Sequence, residues 1–168
     1  FAQLRVPFTK VLTMKDSEAK ALRDVDLTAL AAMRDAYAAW TDRLNALETA
    51  VPEAGKRWLH EIRDGVEING LRAKQAYELY DAVLTYRDAV KAKKADATAP
   101  EPETVARPKW EAAATTLDNA RAVIARREAD YRYPAAQEYG GGMTPETAVP
   151  NGTTYGYRVF TTAHLLWY

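Results

Sequence analysis

LAAMRDAYAAWTDRLNALETAV, residues 30–51, sets Leu30, Met33, Tyr37, Trp40, Leu44, Leu47 and Val51 at alternating spacings of three and four. Only an α-helix packed lengthwise on other helices puts such residues on one line. Upstream, Thr13 followed by Asp16 fits a helix start, and from there to about Thr49 the chain contains neither Gly nor Pro. Helix one is therefore expected to run roughly 50 Å at about 1.5 Å per residue. Residues 1–14, apolar at Phe1, Leu4, Val6, Phe8, Val11 and Leu12 and interrupted by Pro7, are expected to form an extended segment lying on a surface.

Downstream of the quoted stretch, Pro52 cannot continue a helix but suits the first turn of the next, so the link is short and the two helices must run antiparallel. Helix two, from about Glu53 to Ala95, keeps the register through Leu59, Ile62, Val66, Asn69, Ala73, Ala76, Tyr80, Val83, Arg87 and Val90. Asp64-Gly65 and Asn69-Gly70 are turn dipeptides in other settings, but the unbroken heptad outweighs them and favours one long helix, with a kink near Gly65 to Gly70 the most it would show. The Pro, Ala and Glu-rich stretch from Ala95 to Arg107 has little to bury and is expected to be an exposed, mobile loop. Pro108 would open helix three, in which Trp110, Leu117, Ile124 and Tyr131 recur every seven residues with Ala113 and Ala120 between them, and Pro134 would end it. The fold class is thus all-α, one domain over residues 1–168: an antiparallel long helical hairpin plus a third helix, a three-helix bundle over 15–131. An irregular aromatic and Gly-rich C-terminal arm, 132–168, follows.

That arm changes composition abruptly, with Gly140-Gly141-Gly142, Pro145, Pro150 and Asn151-Gly152. Alternation across Thr153 to Thr161 predicts one short strand in it. Counting back from Ala95 at equal rise sets Tyr131 beside Gly70 or Leu71, which leaves the outer half of the hairpin for the aromatic arm to cover as a fourth layer.

Composition removes several classes of function. Lys plus Arg equals Asp plus Glu at 23 each, so the chain lacks the net positive charge that attracts phosphate backbones, and nucleic acid is not an expected partner. The absence of cysteine excludes disulfides, thiol nucleophiles, iron–sulfur clusters and c-type haem. No apolar run is long enough to span a bilayer, and no secretory leader precedes Phe1. A chain opening on Phe rather than Met is read as processed or excised, with export an expectation if a leader was removed. The Gly140 triplet is not a phosphate loop, because no strand precedes it and no Gly-Lys-Ser/Thr follows, so no nucleotide motif is present. Ser17 is the sole serine and has no histidine near it in sequence, which argues against serine hydrolase chemistry.

A cleft is expected where the helices meet the aromatic arm, bordered by Trp58, His60, Arg63, Asp64, Glu67, Asn69, Tyr133, Tyr155 and Tyr157. His60, Asp64 and Glu67, at i, i+4 and i+7, share one helix face and could supply three ligands to a divalent ion or an acid/base pair with an orienting carboxylate. The competing reading is a solvated polar face. His164, the other histidine, is expected to pack among Leu165, Leu166 and Trp167. Asn69 and Arg87 are expected to fix register and to snorkel beside Trp110 or Asp118 respectively. Two functions remain. One is a non-enzymatic helical scaffold or protein-interaction module, a subunit or excised piece of an assembly whose partner is protein. The other is a small-ligand or metal-binding protein, or an enzyme, with its site between helix two and the arm.

Overall fold

The computed structural model describes residues 6–131, with side chains through Arg127. Helix accounts for 87% of the described residues and no strand occurs among them. Among the described residues five α-helices follow one another: α1 (Phe8–Thr13), α2 (Asp16–Ala21), α3 (Thr28–Ala46), α4 (Glu53–Ala95) and α5 (Pro102–Tyr131), with a π-helical turn, Leu22–Leu27, joining α2 to α3. The strand expected at 153–161 and the arm as a whole lie outside the described residues.

Helix two forms as the heptad requires: α4 runs unbroken for 43 residues through both Gly65 and Gly70. Three other expectations are corrected. Residues 8–13 of the N-terminal segment are helical, not extended, because Pro7 sits at the N-cap, where no amide donor is needed, and its carbonyl accepts from Lys10 N and Val11 N at 2.9 and 3.1 Å to start α1; residues 1–5 lie outside the described residues. The loop is shorter than expected. Helix α5 opens on Pro102, not Pro108, and Thr104 N and Val105 N both donate to the Glu101 carbonyl. Pro108 therefore lies inside the helix. The linker between them is tied down rather than loose: Lys93 Nζ donates to the carbonyls of Ala97 (2.8 Å) and Ala99 (2.9 Å) and pairs with Glu101, while Asp96 accepts from the backbone and hydroxyl of Thr98. The third correction concerns register. Because α5 starts six residues early, Arg126 already reaches Asp64 and Glu67, and Arg127 reaches Glu61. Tyr131 therefore does not stop beside Gly70 or Leu71.

The described residues divide into two compact units, one of residues 6–35 and 73–116, the other of 36–72 and 117–131. In the first, Val11, Ala19, Leu22, Leu27, Leu30, Ala76, Tyr80, Val83 and Leu84 form one buried cluster with Val6, Met14 and Tyr77 packed on it. Burying large side chains of this kind stabilises by about 1.5–3 kcal/mol each. The π turn explains how Leu22 and Leu27 both belong: five residues of α-helix would set them about 140° apart, whereas the wider turn returns both to the core. Arg87 crosses from α4 to fix the entry of α2, donating to the Met14 carbonyl (2.9 Å) and to Asp16, with Asp88 as a second carboxylate partner at 2.8 Å. Its expected neighbours Trp110 and Asp118 are not among these partners.

In the second unit, Leu59, Ile68, Ala120 and Val123 are buried together with one charged group, Asp64. Gly70 sits where a helix must come close, since a Cβ there would meet Tyr37 Cβ at 3.0 Å. The seam of the hairpin is unevenly covered here. Trp40 and Leu47 of the quoted stretch, and Ile62 facing them in the expected seam, remain exposed.

Candidate functional site

Two features of the second unit collect the chemistry-bearing residues. The first is a line of ionic groups where α4 meets α5 and the turn after α3. Asp64, only 1% exposed, accepts from Arg63 Nε at 3.1 Å and from Arg126 Nη2 at 2.7 Å on the same oxygen, while Arg126 Nε lies 3.4 Å from the other. Arg126 also donates to Glu67 at 2.7 Å, and Arg127 to Glu61 at 2.6 Å. A planar guanidinium forked across a buried carboxylate is the geometry in which arginine outperforms lysine. The hydrogen bond that Arg126 donates to Asp64, outweighing burial, and then the one it donates to Glu67 raise Arg126 above the ordinary arginine range, so it stays charged at any working pH.

His60 turns the other way. Its Nε2 lies 2.9 and 3.0 Å from the two oxygens of Glu48, in the turn beyond α3, and Arg63 approaches the same carboxylate at 3.8 Å. The hydrogen bond from His60 holds the Glu48 carboxyl below its ordinary value of 4.5. The i, i+4, i+7 spacing thus does not converge: Asp64 and Glu67 share an arginine, and His60 faces a different carboxylate. Among the described residues no group of three His, Cys, Asp or Glu side chains is placed to hold a metal ion. Carboxylates whose oxygens accept from arginines on a neighbouring helix are suited to pinning helices together. Asn69 donates to the Gly65 carbonyl one turn back at 3.0 Å, a local bond within α4. Tyr133, Tyr155 and Tyr157 lie outside the described residues.

Glu48, Glu61, Arg126 and Arg127 are absent from the residues the sequence nominated. Glu48 was within reach, since residues 48 and 60 stand almost symmetrically about the Pro52 link of an antiparallel hairpin. The arginines depended on the register of α5, which no local signal sets.

The second feature is apolar. Trp58 is 71% exposed, Trp40 and Ile62 each 55%, and Leu47 46%. Trp58 and Ile62 are four apart on α4 and share a helix face, while Trp40 lies on α3 and Leu47 directly follows its end. The guanidinium of Arg43 lies 5.1 Å from the Trp40 ring centre. A shallow groove of about 360 Å³ also lies in the first unit, lined by Ala89, Ala92, Ala99 and Val105 with the Arg23–Asp88 ion pair, 2.6 Å, at its edge. No helix of the described residues is long and apolar enough to cross a membrane. No family model, curated protein or solved structure matches this chain.

Proposed function

We propose that the chain is a non-enzymatic helical scaffold or protein-interaction module, a three-helix bundle that serves as a subunit or excised piece of a larger assembly. One observation supports this above the others: Trp40 on α3, Leu47 just past its end, and Trp58 and Ile62 on α4 are large apolar side chains left open in the second unit. Exposed tryptophans grouped with aliphatics are the usual composition of the centre of a protein interface. The ionic line beside them fits the same role, because Arg126 and Arg127 fasten α5 to α4 and keep the helices that carry this face fixed. The small-ligand or metal reading draws less support, since His60, Asp64 and Glu67 are engaged by Glu48 and Arg126.

The test is purification of the full chain from its own cells after cross-linking, beside a Trp58→Ser/Ile62→Ser variant. Specific proteins held by the wild type and lost from the variant are the expected result. Equal recovery by both would overturn the reading.

A further inference from the structure

The shallow groove of the first unit sets apolar walls beside an unbalanced line of charge. Its walls are small side chains, Ala89 and Ala92 on α4, Ala99 and Pro100 in the linker and Val105 in the first turn of α5, and they leave about 360 Å³ unfilled. That volume lies within the range of sites that take small molecules. The linker wall is held in place, since Lys93 Nζ ties down the carbonyls of Ala97 and Ala99. At the edge stands Arg23, carried by the π-helical turn, a backbone form frequently found at functional positions. The Thr28 hydroxyl donates to the Arg23 carbonyl, five residues back, at 3.3 Å.

Arg23 is the last link in a chain of five ionic groups. Lys91 and Arg87 both donate to Asp16, Arg87 donates to one oxygen of Asp88 at 2.8 Å, and Arg23 Nη2 donates to the other at 2.6 Å. Three cations thus meet two carboxylates, and both ends of the chain are cationic. The neighbouring Asp24 and Glu101 do not redress this, being paired with Lys20 and Lys93. Asp88 has an arginine on each oxygen, one of them the buried Arg87, and so has little left to offer an incoming cation. The Arg23 side chain, by contrast, is 36% exposed, and its Nε and Nη1 donate to nothing among the described residues. An arginine with spare donors at the edge of an apolar groove suits a carboxylate carried on an apolar body.

We infer that this groove binds a small aliphatic monocarboxylate, with its hydrocarbon against Ala89, Ala92, Ala99 and Val105 and its carboxylate accepting from Arg23. The site lies wholly in the first unit, so it goes beyond the interaction-module reading and does not depend on it. The test is titration of the full chain with hexanoate, hexanol and hexylamine, followed by the backbone amide resonances. Hexanoate should shift the amides of residues 89, 92, 99 and 105 saturably. Hexanol should bind the same amides about fivefold more weakly, the worth of a partly exposed ion pair, and hexylamine more weakly still. Arg23→Gln should reduce hexanoate to the level of hexanol, and Ala92→Trp, at an exposed position, should abolish both by filling the groove. Absence of saturable shifts at those amides, equal affinity for the three probes, or hexanoate binding that ignores Arg23→Gln would each overturn the inference. Should a variant lose its helical circular dichroism, the ranking of the three probes on the wild type decides alone.

Discussion

Single side chains in this molecule are decided by whether a buried polar group finds a partner. Asp64 does, through Arg63 and Arg126. Removing one partner of a buried pair leaves a charge poorly compensated, at a cost of about 3–5 kcal/mol. Arg126→Ala is expected at the low end of that range because Arg63 remains, and urea unfolding would measure it. Arg126→Ala in an Asp64→Ala background should cost much less, since no carboxylate is then stranded. Gln75 is the opposite case: it is 4% exposed and its Oε1 accepts no hydrogen bond among the described residues. Gln75→Leu is expected to be neutral or to stabilise by about 1 kcal/mol, since the desolvation penalty of an unpaired acceptor disappears. A clear loss of stability would show that the amide has a partner. None of this could be read from residue type, because Asp64 and Gln75 occupy ordinary polar positions in a charged helix.

At the scale of helices, the two glycines of α4 separate propensity from packing. A Cβ at Gly65 meets nothing within 4 Å, whereas one at Gly70 meets Tyr37 Cβ at 3.0 Å. Gly65→Ala should therefore raise stability by about 1 kcal/mol, the intrinsic helix preference of Ala over Gly. Gly70→Ala should lower it by roughly 1–3 kcal/mol through crowding against α3. Thermal melts of the two variants should move in opposite directions. The length of α4 was legible because ten seam positions stay in phase, and the turn dipeptides lost because each helical residue adds a hydrogen bond that an isolated Gly costs only in part. The start of α5 was not legible. Pro102 and Pro108 are both acceptable openings, and the choice fell to Pro102, where Lys93 gathers the linker carbonyls and Glu101 receives the first amides of the helix.

For the molecule as a whole, acid should weaken the fold through a small set of carboxylates. Hydrogen bonds from Lys91 and then Arg87 hold Asp16 below its ordinary 3.8, and that from His60 holds Glu48 below 4.5. A carboxylate with a depressed value in the folded state binds protons more readily once unfolded. Its stabilising contribution is therefore present above those ordinary values and is lost as pH falls below them. Asp16→Asn and Glu48→Gln should each flatten the acid limb of a stability-against-pH curve, and unchanged limbs would show the pairs to be inert. Sequence alone determined the helical class and the span of the long central helix, because the three-and-four spacing of apolar residues is local and repeats without a slip. It also excluded cysteine chemistry by composition. Tertiary structure decided the register of α5, the division of His60 from Asp64 and Glu67, and which seam residues stay open. Each of these depends on where a helix lies beside its neighbour, a non-local quantity that a one-residue change in starting point shifts by about 1.5 Å and rotates by about 100°.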